Sequence, residues 1–199
     1  MAEPLVLGFD TSAAHCAAAL LLGGRVLASR DEAMAKGQAE RLFPLLQELL
    51  DEAGRNWAQL AVIGVGTGPG NFTGIRIAVA AARGLALSLG IPAIGVGGLE
   101  ASALDLPRPC RILIPTRADQ VLWQDFGPQG ALTALPAQDH PQDLPPGPPP
   151  ARPLYPLAEA IARIALARRE IPGLPRPAPI YLRPADAAPA RDRGPIILA

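Results

Sequence analysis

The fold is decided by residues 61–96, which read AVIGVGTGPGNFTGIRIAVAAARGLALSLGIPAIGV. An apolar strand at 61–66 is followed by a glycine-rich loop, a helix at 72–89 and a second apolar strand at 91–96. Two strands joined through a helix usually pair in parallel, because a parallel connection needs a crossover of this length. Strands that are apolar at nearly every position are typical of a sheet with both faces covered. The stretch therefore predicts a parallel strand-helix-strand unit in an α/β fold.

Three short strands are predicted before this unit. Apolar runs at 5–9, 16–22 and 25–29 are separated by polar residues 10–12 and by the glycine pair at 23–24. Turn residues between short apolar runs are typical of hairpins. We therefore expect three antiparallel strands in the same sheet as the parallel pair.

A helix is predicted at residues 38–53, where the apolar positions recur at helical spacing. These positions are Leu42, Leu45, Leu46, Leu49, Leu50 and Ala53. Pro44 fits if it lies in the first turn, where its missing N–H would be unbonded, or if the helix is slightly kinked. Together, the elements predict a mixed sheet with helices, the ribonuclease-H-like (ASKHA) lobe from which actin-like proteins are built.

The composition changes after residue 106. Of the 24 prolines, 20 lie at or beyond Pro107, and seven of these fall within residues 141–153. Strands at 111–115 and 120–126 and a helix at 157–169 flank this segment. We therefore predict a first lobe at residues 1–105 and a smaller, proline-rich second lobe at 106–199, with an extended connector at 141–153.

Composition argues against a secreted or membrane protein. The formal net charge is zero, and the two cysteines, Cys16 and Cys110, form no spaced framework for disulfides or zinc. No basic region precedes the first apolar run, so we expect no signal peptide. The most apolar helix carries Arg76 and Arg83, which disfavours a membrane span. We expect a cytoplasmic protein.

Two further features bear on ligands. The only histidines, His15 and His140, are too few for a recognisable metal cluster. Residues 151–199 carry 8 basic and 4 acidic side chains, which indicates either scattered solvated arginines or contact with RNA phosphates. We predict no metal and no cofactor bound by this chain itself.

The loop at residues 64–74 joins a strand to a helix and allows two interpretations. Its glycines could let backbone amides approach a phosphate at the helix N-terminus. However, the loop has no Walker lysine, and Asn71 stands where a third glycine of a dinucleotide motif would lie. The alternative is a tight turn that lets the helix pack closely on the sheet. Asp10, after the first strand, is expected to serve a capping or turn role, and no catalytic residue is predicted.

The helix at 72–89 has more apolar surface than one sheet can cover, since small and aliphatic residues occupy nearly every face. Either the second lobe or a partner must cover the remainder. The helix at 38–53 offers a leucine-rich companion face, so these two helices from each of two chains could form a four-helix interface. The predicted interface residues are Leu42, Leu45, Leu46, Leu49, Gly74, Ile75, Ala78, Val79 and Ala82. We expect an aspartate at Ala78 or Leu46 to abolish partner binding while leaving the fold largely intact.

Four segments together resemble one family, the TsaB (YeaZ) proteins. They are LGFDTS at 7–12, QAERL at 38–42, GTGPGNFTGIR at 66–76 and GIPAIGV at 90–96, with a matching ending, PIYLR, at 179–183. The motif residues that carry the resemblance are Asp10, Thr11, Ser12, Thr67, Gly68, Pro69, Gly70, Asn71, Phe72, Thr73 and Arg76.

The resemblance implies an actin-like fold and a non-catalytic scaffold role. Family members are expected to bind a catalytic paralogue, TsaD, with an ATPase, TsaE, for threonylcarbamoylation of an adenosine beside the tRNA anticodon. They would reach tRNA through this complex, and homodimers are an open alternative. Where the paralogue has two metal-binding histidines, this chain has Gly98 and Ser102, and neither side chain replaces an imidazole.

The sequence departs from the family pattern at two positions, and two functions other than a scaffold are alternatives. Gln38 stands where the family often has histidine, and Thr116 where an aspartate is common. A stand-alone actin-like phosphotransferase, using ATP and magnesium, would need Asp10 and the loop at 67–70 to face each other across a cleft. A metallopeptidase, an old label for the family, is disfavoured by the missing histidines.

Overall fold

The computed structural model describes residues 3–116, 119–128 and 135–182. Its larger sheet has five strands in the order β3-β2-β1-β4-β5, with β1-β2 and β2-β3 antiparallel and β1-β4 and β4-β5 parallel. The strands are β1 (Leu5–Asp10), β2 (His15–Leu22), β3 (Arg25–Ala33), β4 (Leu60–Gly66) and β5 (Ala93–Val96). The predicted mixed sheet is confirmed.

Helices cover both faces of this sheet. They are α1 (Gln38–Glu52), α2 (Phe72–Leu89), the short α3 (Gly98–Ser102) and α4 (Leu157–Arg168). Alternate residues of a strand point to opposite faces, so Leu7 and Phe9 of β1 pack in the core with α1 and α2, whereas Val6 packs in the core with α4. Burial on both faces explains why β1, β2 and β4 are apolar at nearly every position.

Pro44 lies in the second turn of α1, which excludes the first-turn alternative. The helix begins at Gln38 and continues through Pro44. A proline there leaves one backbone carbonyl of the preceding turn without its helical N–H donor. Pro44 is exposed, so water can satisfy that group, and the five buried leucines hold the helix on the sheet.

The placement of α4 corrects the predicted lobe boundary. The sequence places this helix in the second lobe, but it packs on the first sheet, beneath Gly8 and Gly64. A methyl group at Gly8 would lie 2.5 Å from the carbonyl oxygen of Ala158 and 2.7 Å from Cβ of Ala162. The two glycines therefore allow the close approach of α4, and the division at residue 105 does not separate two packing units.

The second sheet is small and antiparallel. Its strands are β6 (Cys110–Pro115), β7 (Val121–Phe126) and β8 (Ala137–Asp139), in that order, so the two predicted strands are confirmed. The proline segment is docked beside it. Arg111 donates its backbone N–H to Pro149 and a side-chain N–H to the carbonyl of Pro145, and its own carbonyl accepts from Ala151. These bonds tie the predicted connector to the edge of β6.

Helix α2 is long and apolar enough to cross a membrane when only length and composition are considered. Its buried residues, Gly74, Ile75, Ala78, Val79 and Ala82, lie in the interior of this chain, and α2 packs against the sheet. Because 33% of this span is buried, packing on the sheet accounts for only part of its apolar surface.

Candidate functional site

The carboxylate of Asp10 closes the turn after β1. It is fully buried, and its Oδ1 accepts hydrogen bonds from the backbone N–H and the hydroxyl of Ser12, both at 2.8 Å. His15 Nε2 lies 2.7 Å from the same oxygen, and this bond raises the pKa of the imidazole. Asp10 Oδ2 lies against Gly66 and has no hydrogen-bond partner among the described residues. The predicted turn role of Asp10 agrees with this geometry.

The Asp10 turn and the glycine-rich loop are in direct contact. Asn71 donates its backbone N–H to the carbonyl of Ser12 at 2.6 Å, and Thr11 donates its hydroxyl to the carbonyl of Gly74 at 2.6 Å. A methyl group at Gly70 would clash with the carbonyl of Ser12. The glycines therefore serve close packing, as in the second of the two interpretations of this loop.

The rest of the motif orders the beginning of α2. Asn71 is its N-cap and accepts a hydrogen bond from the backbone N–H of Gly74 at 3.0 Å. Thr67 donates its backbone N–H to Val96 in β5, and the carbonyl of Gly68 accepts from Gly98 at 2.8 Å. The loop is thus connected to the neighbouring strand and to the first residue of α3.

A contact that the sequence did not predict joins the C-terminal segment to this loop. Ile180 donates its backbone N–H to the carbonyl of Thr67 at 2.8 Å. The ring of Tyr181 lies 4.9 Å from that of Phe72, and its hydroxyl accepts from Arg76 Nε at 2.8 Å. The signal available beforehand was the aromatic residue in the family-like ending at 179–183. Arg183 of that ending lies outside the described residues.

The positions that match the paralogue's metal ligands do not fit a metal. Gly98 has no side chain, and the hydroxyl of Ser102 donates to the carbonyl of Gly98 at 2.9 Å. Across residues 3–116, 119–128 and 135–182, no three His, Cys, Asp or Glu side chains converge in a way that could hold an ion.

The two departures from the family have local partners. Gln38, at the start of α1, donates to the carbonyl of Met34 at 3.2 Å. Thr116 donates its hydroxyl to the carbonyl of Gln120 at 3.0 Å, within the connection from β6 to β7. Both side chains serve the chain's own loops.

The predicted interface residues require a correction, because the fold itself covers them. All nine are buried: Leu42, Leu45, Leu46, Leu49, Gly74, Ile75, Ala78, Val79 and Ala82. An aspartate at Ala78 or Leu46 would place an unpaired charge in the chain's own core and destabilise the fold. The expectation that such variants keep their fold is therefore wrong.

The accessible surface of these two helices is a groove between them. One part is lined by Ala39, Leu42, Phe43, Ile77, Ala80, Ala81, Gly84, Leu85 and Ser88. It continues along Pro44, Gln47, Trp57 and Leu89. Phe43 is 46% exposed, and Leu87, beside the groove on α2, is 86% exposed. An apolar, solvent-exposed surface of this kind is a candidate protein-binding site.

Comparison with known proteins gives consistent matches. A family model described as "TsaD: tRNA N6-adenosine threonylcarbamoyltransferase" matches residues 26–143. The chain is 33% identical over 126 residues to the Escherichia coli protein named "tRNA threonylcarbamoyladenosine biosynthesis protein TsaB", covering 61% of this chain and 54% of that protein. An uncharacterised Mycobacterium bovis protein is 33% identical over 82% of this chain and 83% of its own length.

A solved structure shows the same fold over nearly the whole chain. "YeaZ from Pseudomonas aeruginosa" superposes with a TM-score of 0.72 at 30% identity, covering 90% of this chain and 100% of that one. The residues matched by the family model include the glycine-rich loop at 64–74, α1 and α2. The chain therefore belongs to the TsaB (YeaZ) family, in the wider group of TsaD-type proteins with an actin-like fold.

Proposed function

We propose that this chain is a non-catalytic scaffold subunit that binds a TsaD-like catalytic paralogue in the cytoplasm. A TsaE-like ATPase acts in the same assembly, which threonylcarbamoylates the adenosine beside the tRNA anticodon. The chain contacts tRNA only through the complex and uses no cofactor of its own. The names of the matched relatives support the pathway, since the Escherichia coli relative is called a tRNA threonylcarbamoyladenosine biosynthesis protein.

The observation that carries the proposal is the exposed groove between α1 and α2. Ala80, Ala81 and Gly84 keep its α2 side shallow, so another helix can approach closely. Phe43 and Leu87 stand at the surface beside these small residues. Exposed apolar side chains that adjoin an apolar groove mark a protein-interaction surface. A homodimer would use the same surface and would compete with the paralogue.

The motif loop favours a scaffold over a phosphotransferase. A phosphotransferase of this fold would hold its nucleotide between the turn after β1 and the loop before α2. In this chain, the 2.6 Å bond from Asn71 to Ser12 joins those two segments. The carbonyl of Thr11 also lies against Gly74, so there is no gap for a phosphate between them.

The test is to mix the chain with its paralogue and follow the mass of the complex by light scattering. The variant Leu87→Asp places a charge on the proposed interface. The matched control is Leu135→Asp, because Leu135 is 80% exposed but lies just before β8, away from α1 and α2. We expect Leu87→Asp to abolish the complex and the dependent tRNA modification, whereas Leu135→Asp should retain both.

The opposite outcomes would contradict the proposal. If neither variant changes assembly, the groove is not the partner site. If the wild-type chain forms no complex and hydrolyses ATP in the presence of magnesium, the phosphotransferase is the better explanation.

A further inference from the structure

The guanidinium of Arg76 lies over the ring of Phe72 and beside the adjoining ring of Tyr181 on the outer side of α2. Its central carbon lies 3.6 Å from the ring centre of Phe72 and 5.6 Å from that of Tyr181. Arg76 Nε donates to the hydroxyl of Tyr181, 105 residues later in the chain. Stacking and the hydrogen bond together restrict a side chain that otherwise has many rotamers.

The remaining donors of Arg76 point to an acidic partner. Only Nε of its donor groups is bonded to another described residue, and its side chain is exposed. Arg83, two turns further along the same face, is exposed and also lacks a carboxylate partner within the described part of the chain. The outer face of α2 therefore carries two uncompensated positive charges.

This charged face is continuous with the groove. Residues four apart on a helix are neighbours, so Arg76 lies next to Ala80, which lines the groove. A partner helix in the groove would pass beside the Arg76 guanidinium. A carboxylate on that helix could accept two parallel hydrogen bonds from the free side of the guanidinium.

The position of Tyr181 depends on anchors remote from α2. Pro177 is buried against Gly95 of β5, and Ile180 is bonded to Thr67 at the end of β4. Leu182, on the other side of Tyr181, packs against the core that contains Ile112 of the second sheet. The segment 177–182 thus connects both sheets to the first turn of α2.

We infer that segment 177–182 is a clasp that presents the Arg76 guanidinium to a carboxylate of the catalytic paralogue, with Tyr181 as the positioning residue. This inference rests on the proposed function and adds the charge of the partner surface. Because Arg76 is held in place before binding, less conformational entropy is lost when the ion pair forms.

The test is a double-mutant cycle on the full chain, with affinity for the paralogue measured by titration calorimetry. Tyr181→Ala should weaken binding about fivefold, because the Arg76 side chain would then lose its rotamer freedom only when the partner binds. In an Arg76→Met background, the same substitution should change affinity by less than about twofold, because the charge that Tyr181 positions is gone. Tyr181→Phe, which retains the ring, should have an intermediate effect.

Two controls separate positioning from folding. Tyr181 is 41% exposed, so thermal unfolding should show that Tyr181→Ala remains folded. Arg83→Met removes a charge from the same face, but no aromatic ring of the described residues contacts Arg83. Its effect on affinity should therefore be independent of Tyr181. The affinity of the wild-type chain should also fall more steeply with added salt than that of Arg76→Met.

The other outcomes would contradict the clasp, the acidic partner or the proposed function. Equal effects of Tyr181→Ala in both backgrounds, or no effect, would refute the clasp and leave the scaffold intact. If Arg76→Met weakens binding of tRNA to the chain alone but not binding of the paralogue, Arg76 contacts nucleic acid instead of a protein carboxylate, and the inference is wrong. If the wild-type chain does not bind the paralogue, the proposed function fails as well.

Discussion

The substitution Gly74→Ala tests whether the motif loop is closed by packing. Gly74 lies in the first turn of α2, where its carbonyl accepts the hydroxyl of Thr11 at 2.6 Å. A methyl group on Gly74 would lie 1.9 Å from the carbonyl oxygen of Thr11. An ordinary carbon-to-oxygen contact is about 3.3 Å, so the Thr11 turn or the helix would have to move by more than about 1 Å.

The expected cost is the sum of three terms. Overpacking in a close-packed region costs about 1–3 kcal/mol, and loss of the bond from Thr11 costs about 1 kcal/mol. Replacing glycine by alanine in a helix returns about 1 kcal/mol. The net destabilisation is about 2 kcal/mol, which lowers Tm by about 4–8 °C for a chain of this size.

The same helix offers a matched control at Gly84. A methyl group at Gly84 would have no neighbour within 4 Å in the part of the chain that the structure describes, so only the helix-propensity gain remains. Gly84→Ala should therefore raise the stability by about 0.5–1 kcal/mol. Replacing glycine by alanine in α2 is thus expected to destabilise the fold at position 74 and to stabilise it at position 84.

Urea unfolding followed by circular dichroism measures both variants. If Gly74→Ala is as stable as the wild type, the Thr11 turn does not rest on α2 as described, and the closed loop is wrong. If Gly84→Ala is destabilising, the groove side of α2 is already covered in solution, as it would be in a homodimer.

Three further predictions concern ionisable groups. The hydrogen bond to Asp10 raises the pKa of His15 above its ordinary value of 6.5. The stabilisation from this pair is therefore complete below about pH 6.5 and is lost as the pH rises through the folded-state pKa. The urea midpoint should fall over that pH range in the wild type but not in His15→Gln. Arg111→Met should lower the free energy of unfolding, measured in urea, by about 3–5 kcal/mol, because it leaves the buried carboxylate of Asp125 unpaired. The double variant with Asp125→Leu should recover most of this loss. Burial raises the pKa of Cys16 to about 11, so this thiol should react with a thiol reagent at pH 8 only after unfolding, and rapid labelling of the native protein would contradict its placement in β2.

The periodicity of the sequence predicted the local elements because each is dictated by nearby residues. The parallel unit at 61–96 and the three hairpin strands appear as expected, with ends that differ by a few residues. Apolar runs and glycine turns act over a few residues, so they are visible without tertiary contacts. The family motif at 66–76 was equally local, and it identified the loop that the structure shows packed against the Asp10 turn.

Which helices and strands pack against one another was decided only by the tertiary structure. The pattern of α2 showed that one sheet could not cover its whole surface. The patterns of α1 and α2 did not show which residues face the chain's own core, and all nine predicted interface residues do. Helix α4 follows the proline segment in sequence, but glycines at positions 8 and 64 admit it to the first sheet. The contact between Arg76 and Tyr181 likewise spans 105 residues. Contacts between distant residues depend on how the chain returns on itself, which a pattern read over a few turns does not contain.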